Sequence, residues 1–488
     1  MPTKKALPIE DSLKKNRLIL DERVGVEQSF DIGFRTLHIL GREVHIYYVT
    51  GLCETPIIVQ LMRQLFEMND LEEPGEDIFQ QIKGDIPHQQ VEVVESLDQC
   101  ITQLLSGLAV IFVEGAKSAL IVDVRSYPGR TPEEPDTEKV IRGSRDGFTE
   151  NIIENTALTR RRIRDERLRH EILQVGERSK TDICISYIQD VADPGLVDLI
   201  KKEIKDIDID GLSMADKTLE EYLVNQGRNP FPLVRYTERP DVAAAHLFEG
   251  HVMIMVDTSP SMIITPTTYF HHVQHAEEFR QSPAVGTFVR WVRFFGIFAS
   301  VFLLPLWILF VLQPDLLPEA LSFIGPNEES SIPVIIQILI ADLGLEMLRI
   351  AAIHTPTPLS TAMGLIAAVL IGQIAIDVGL FIPEVILYVA VSAIGSYATP
   401  SYELSVANKM SRVLMVIFVA LFGVKGFMIG MTAYILLLAH TKSFNTPYLW
   451  PFLPFNGKGA LQILLRMSMP SLKQRPSIVH PQNNQRQK

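Results

Sequence analysis

Cysteine is scarce. Cys53, Cys100 and Cys184 are the three thiols in 488 residues, no two form a CxxC pair, and an odd total cannot close into a disulfide framework. The expected state is buried free thiols in a reducing compartment. Catalytic signatures are scarce too. No GxxxxGK[ST] loop is present to cradle phosphates, and no GxSxG elbow to present a nucleophilic serine. His170-Glu171 lacks the second histidine of a zinc-binding helix. Asp257-Thr258-Ser259 has no second copy, so two carboxylates cannot share a proton there, and a turn after a strand is expected. No enzyme activity and no cofactor are expected. Charged residues are 21%, a little below the usual share for a soluble protein. Residues 1–31 carry charge and no apolar signal core, so the segment after them is expected to stay cytoplasmic.

Acids are absent from residues 441–488, which hold seven Lys or Arg. The whole chain has a formal charge of −12, so residues 1–440 carry −19. A body that acidic argues against nucleic acid as a partner. The acid-free tail suits an anionic bilayer surface.

Hydropathy divides the chain, although its mean of +0.17 conceals the division. Before about residue 285 short apolar runs alternate with charge, and from 294 to 440 long apolar runs dominate. The expected fold is an α+β cytosolic N-terminal half in two subdomains, followed by an all-α polytopic membrane domain. Boundaries are expected at 1–126, a Pro/Gly-rich linker at 127–146, a second subdomain at 147–285, a membrane domain at 286–440 and a basic tail at 441–488. Residues 44–49, 109–113, 119–124, 183–188 and 252–256 read as strands. Residues 56–69, 91–105, 147–169 and 194–205 read as helices. No internal repeat is visible.

Two polar constellations in the first half can be weighed as sites. His271 and His275 would share a helix face with Glu278 nearby, as metal ligands can; a polar juxtamembrane helix is the favoured reading. Arg160, Arg161, Arg162, Arg164, Arg167 and Arg169 lack interleaved aromatics, which favours a solvated helix face or a subunit contact over nucleic-acid binding.

Residues 294–312 form a charge-free stretch of about 28 Å as a helix, preceded by Arg280, Arg290 and Arg293, which places the first half in the cytoplasm. Residues 332–353 are apolar but carry Asp342, Glu346 and Arg349 on one helix face. Residues 359–380 hold Gln373 and Asp377, and residues 385–399 carry a small polar edge at Ser392, Gly395 and Ser396. Residues 411–440 would measure about 45 Å as one helix, so they project beyond the bilayer or bend near Gly423, Lys425 and Gly426. Four spans, with 332–353 crossing incompletely, keep both termini inside; five would put the tail outside. Asp342, Glu346, Arg349, Gln373, Asp377 and Lys425 are the candidate pore or intramembrane polar residues, because such groups are costly against lipid and usually mark a path. An Asp377–Lys425 ion pair, within one subunit or across a subunit boundary, is one expectation. Tyr448, Trp450, Phe452 and Phe455 among prolines read as an interfacial anchor, and 459–469 as a surface helix.

NPFP at 229–232 and YTERPD at 236–241, followed by LFEG at 247–250 and VDTSP at 256–260, resemble the motifs of the spore germination GerA family, A-subunit class. DGFTEN at 146–151, IDIDG at 207–211, LLP at 316–318, IGQ at 371–373, SYELS at 401–405, and SF with PYL at 443–449 follow in the family's order. Three departures stand out: Asp377 and Lys425 replace apolar or small residues, and His271-His272 replaces an aromatic pair. The resemblance implies a multi-pass protein of the spore inner membrane, similar to ring-forming, ion-conducting subunits. It implies a homo-oligomer in the bilayer with other germination proteins as partners: a small membrane protein, germinant receptors or dipicolinate channel proteins. The function implied is an oligomeric ion channel or channel-like subunit promoting ion or dipicolinate release. The alternative is a non-conducting scaffold that organises receptors or dipicolinate channels.

Overall fold

The computed structural model of the chain describes residues 7–70, 77–86, 91–126, 138–224, 226–326, 332–354, 364 and 372–487. They form two compact units. One comprises Met1–Asn225, Val234–Pro266 and Met469–Lys488; the other comprises Gln226–Leu233 and Thr267–Ser468.

The first unit holds two antiparallel five-stranded sheets. Strands β1 (Ile32–Ile39), β2 (Arg42–Val49), β3 (Val91–Val94), β4 (Ala109–Val113) and β5 (Ala119–Val122) align in the order β1-β2-β4-β5-β3. Strand parity sets the layers, because alternate side chains leave opposite faces. Val110 and Phe112 of β4 meet helices α1 (Leu13–Val24) and α4 (Leu97–Leu104). Ala109, Ile111 and Val113 meet α2 (Thr55–Glu67) and α3 (Ile78–Asp85). Both faces of the sheet are covered, so the central strands read as unbroken apolar runs.

The second sheet repeats the first. β6 (Leu168–Val175), β7 (Thr181–Ile188), β8 (Arg235–Thr237), β9 (Val252–Val256) and β10 (Met262–Thr265) align as β6-β7-β9-β10-β8. Helices α5 (Ile152–Arg162), α6 (Pro194–Lys205), α7 (Ala215–Leu223) and α8 (Pro240–Glu249) fall where α1 to α4 fall in the first. Each half therefore runs αββααβαββ, a duplication of topology that the amino-acid pattern did not reveal.

Several expected elements shift. The helix expected over 147–169 is only α5, whose N-cap Asn151 accepts from the Ile153 N–H at 2.9 Å. The alternating residues after it enter β6 instead. Residues 91–105 divide into β3 and α4 at Ser96. Of the expected linker, 127–137 lie outside the described residues, while 138–146 are bonded into the second sheet's half. Thr237 Oγ1 donates to Glu138 at 2.6 Å and Arg239 donates to the Ser144 carbonyl at 3.0 Å. The three cysteines are free and buried, and burial pushes the Cys53 and Cys100 thiols up to about 11 and about 12. Met469–Lys488 is not a free basic tail. Val479 packs beside Gly250 and Val191, Gln482 donates to the carbonyls of Gln189 and Ala192, and Arg486 pairs with Glu249 at 2.9 Å.

The second unit is helical: α9 (Ala276–Arg280), α10 (Pro283–Leu312), α11 (Val334–His354), the turn α12 (Ala375–Asp377), α13 (Pro383–Tyr397), α14 (Tyr402–Phe422), α15 (Val424–His440) and α16 (Gly457–Leu464). Among the described residues, α10 and α14 are long and apolar enough to cross a membrane; α13 and α15 are shorter apolar helices. Most of the span expected at 359–380 lies outside the described residues. Residues 411–440 are not one helix. The chain reverses at Gly423, whose φ of +57° and ψ of −131° suit only glycine, and α15 returns along α14. Gly426 then lies on Phe418, Gly430 on Met415, and Tyr434 donates to Asn408 at 3.1 Å.

Residue pairs give the helix directions. Trp307 stacks on Tyr388 at 4.6 Å, Ser392 donates to the Ser300 carbonyl, and Gly395 meets Gly296, so α13 runs against α10. Gln313 meets Gly423 and Arg412 reaches Ser300, so α14 runs with α10. α11 opposes α14 through three pairs along its length. Tyr448 and Trp450, expected as interfacial anchors, are buried. Tyr448 belongs to a core with Phe231, Tyr269 and Leu404, because Tyr269 N–H bonds its carbonyl at 2.8 Å and draws it inward.

Candidate functional site

The one-sided stripe on α11 finds its complement on α14. Asp342, 5% exposed, accepts from Arg412 Nη2 at 2.7 Å, and Lys409 Nζ lies 3.4 Å from the same oxygen. One turn on, Lys409 pairs with Glu346 at 2.7 Å. Arg349 Nε donates to Glu346 at 3.1 Å, and its guanidinium stacks on the Tyr402 ring at 4.8 Å. Arg412, 1% exposed, also donates to the Ser300 carbonyl at 2.8 Å and to Ser392 Oγ at 2.5 Å. One guanidinium thus ties α10, α11, α13 and α14 together.

The ladder is graded. Its Asp342–Arg412 rung is sealed, and the Glu346, Arg349 and Lys409 rungs are partly open. Two acids face three cations, so it retains one net positive charge. A sealed pair is held by geometry as much as by charge, since desolvation offsets most of the Coulomb attraction and unmatched removal of one partner is costly.

Of the expected residues, Asp342, Glu346 and Arg349 come together. Gln373, Asp377 and Lys425 are exposed and outside the ladder. The expected Asp377–Lys425 pair does not form within one chain. Asp377 ends the short α12 turn and Lys425 sits in the first turn after the Gly423 reversal, so each charge reaches the surface at a helix end. Lys409, Arg412 and Ser300 were not anticipated as site residues. The available signal was a spacing match: cations at i, i+3 on α14 complement acids at i, i+4 on α11.

The histidines weighed as metal ligands, the less favoured reading, engage separate partners. His271 Nδ1 accepts from the Thr268 N–H at 3.0 Å in a short turn, His275 caps Glu277, and Glu278 is claimed by Arg290 at 2.7 Å. His271 and His275 share no helix face. The arginine run disperses as well. Arg160 is buried in a bidentate pair with Asp31 at 2.9 and 3.2 Å, Arg162 pairs with Asp146, and Arg167 with Asp165 and Asp190. The Asp31–Arg160 pair joins the chain entering β1 to α5, locking the two repeated halves. Ser29 Oγ donates to Asp31 and accepts from the His170 N–H, and His170 Nδ1 lies 2.7 Å from Ser186 Oγ. Burial drives the His170 imidazole down to about 3, so it is neutral in the fold.

Comparison with known proteins places these observations in a context. The Bacillus/Clostridium GerA spore germination protein family matches residues 19–478. Stage V sporulation protein AF of Bacillus subtilis (strain 168) is 63% identical over 473 residues, covering 97% of this chain and 96% of that one. Spore germination protein KA of the same organism is 28% identical over 98% of this chain and 89% of its own. The crystal structure of the N-terminal domain of the A subunit of the Bacillus megaterium spore germinant receptor GerK3 aligns with a TM-score of 0.42 and 28% identity, over 55% of this chain and 99% of that one.

Proposed function

The chain belongs to the GerA family of spore germination proteins, and from that premise we propose that it is a homo-oligomeric, ion-conducting membrane subunit that promotes ion or dipicolinate release during germination. The observation that carries this reading is the ladder. Apolar helices bring five charged side chains onto one strip that is sealed at Asp342 and Arg412 and partly open at Glu346, Lys409 and Arg349. Intramembrane charges of this kind usually border an ion path. In this proposal the sealed Asp342–Arg412 rung sets the spacing of the helices, and the open Glu346–Lys409–Arg349 end presents charge to the path. Both chain ends are assigned to the cytoplasmic face of the spore inner membrane. The support is that Met469–Lys488 shares one unit with α1 to α8, which requires an even number of crossings.

A second reading has its own support. Every charged rung is paired within one chain, as a non-conducting scaffold would require. Purified full-length protein in liposomes separates the two. A channel gives ion flux that changes with Glu346→Gln at unaltered protein level and oligomer size. A scaffold gives no flux, while its loss disperses other germination proteins in the membrane.

A further inference from the structure

The first three turns of α10 are amphipathic the wrong way round for water. Their charges point inward. Arg290, 2% exposed, pairs with buried Glu278 at 2.7 Å and donates to the carbonyls of Gln462 and Ile463 at 2.8 and 3.0 Å. Arg293 also turns onto Glu278. Their apolar side chains point outward: Phe288 is 69% exposed and Trp291 56%, with Val285 beside them.

The adjoining segment repeats the inversion. The carbonyls that end α16 are taken by Arg290 and by Trp291 Nε1, which reaches Leu464 O at 2.9 Å. Helix ends otherwise leave such carbonyls to water. Arg466 donates to the Phe279 carbonyl at 2.7 Å. This clamp holds α16 against the start of α10 and leaves Leu461, Leu465 and Phe455, 75% exposed, on the surface.

Length identifies what covers this surface. α10 has 30 residues, about 45 Å. A hydrocarbon core is about 30 Å thick, and a bilayer with its headgroup layers about 40–45 Å. Residues 294–312 account for the core, so the turns just before them, with Trp291 and Phe288, enter the adjoining headgroup layer, about 5–8 Å deep on each side. We infer that Phe288, Trp291, Phe455, Leu461 and Leu465 form an apolar collar seated in the headgroup–acyl boundary of the bilayer. Lipid is the occupant because the surface continues the membrane-spanning face of α10 on the same helix. The collar's contact is chiefly apolar, since Arg290 and Arg293 are engaged on buried Glu278. This inference is independent of whether the protein conducts ions.

Spin labels at Phe288→Cys, Phe455→Cys and Leu461→Cys in the full chain, reconstituted in vesicles of zwitterionic lipid, test it. The three native thiols are buried, and the parent chain serves as the labelling blank. The expected result is access to dissolved oxygen and shielding from a water-soluble nickel chelate at all three sites, unchanged when anionic lipid or salt is added. Access to the nickel chelate would overturn the collar. So would shielding from both reagents with dipolar broadening between labels, which would assign the surface to a second copy. Unsubstituted protein gives an independent reading. Trp307 and Trp450 are buried, so lipids brominated near the headgroup should remove Trp291's share of the emission, and failure to quench would refute the seat.

Discussion

Replacing Arg412 by glutamine should be among the most damaging single changes in the helical unit. The guanidinium is 1% exposed and satisfies Asp342, the Ser300 carbonyl and Ser392 at once. Its loss leaves a carboxylate 5% exposed with Lys409 at 3.4 Å as its remaining partner. Breaking a buried pair from one side costs about 3–5 kcal/mol. Lys409 is already shared with Glu346, so it offsets part of this, and a loss of about 3 kcal/mol is expected for Arg412→Gln. Asp342→Asn should cost a similar amount by stranding Arg412. The double variant removes both charges together, and should recover about 1–3 kcal/mol relative to the sum of the singles. Glu346→Gln lies at the open end, where exposed pairs contribute about 1 kcal/mol or less. Denaturant titration of the purified protein in one detergent measures all four, with accumulation in the membrane as a parallel readout. Strict additivity of Asp342→Asn and Arg412→Gln would refute the tie between α11 and α14.

A Cβ at Gly395 would overlap the Gly296 carbonyl, so Gly395→Val should push α13 off α10 and cost at least about 1–3 kcal/mol in the same titration; a variant as stable as the parent would contradict that crossing. His170 is neutral in the fold because burial holds it at about 3, but protonated in the unfolded chain below about 6.5. Its stabilisation is therefore complete above pH 6.5 and falls by up to ~1.4 kcal/mol per pH unit on acidification toward pH 3; His170→Gln should flatten the profile measured between pH 7 and 4.5. With the unit that holds α1 to α8 and this segment placed in the cytoplasm as proposed, a cysteine at the exposed position Asn484 should resist membrane-impermeant maleimide in sealed, right-side-out membranes and react once they are opened; labelling without opening would refute the cytoplasmic placement.

Local pattern was enough for much of the molecule. Short unbroken apolar runs delivered β4 and β9 with their bounds unchanged, and Pro194 marked the start of α6. These succeed because a strand or a helix start is decided by neighbours within a few residues. The same holds for the split between a charged half and an apolar half, since partition into lipid is a property of each segment.

The features that join segments were decided by tertiary structure. Asp342 and Glu346 announced themselves as costly charges, but their partners lie about 60–70 residues away on a helix whose direction depends on the reversal at Gly423. Read as one continuous helix, 411–440 gives Lys409 and Arg412 no reason to face α11. The repeated αββααβαββ order escaped notice because topology survives when side chains change, provided each position stays apolar on the correct face. The arginine run looked like one helical face but divides, Arg160 forming an internal lock with Asp31 while Arg161, Arg164 and Arg167 stay exposed, because α5 ends at Arg162 and the remaining residues leave in other directions. A sequence states what each residue costs in a given environment. Which residues meet to offset that cost follows from the register and direction of packed elements, and these are set only when the whole chain closes on itself.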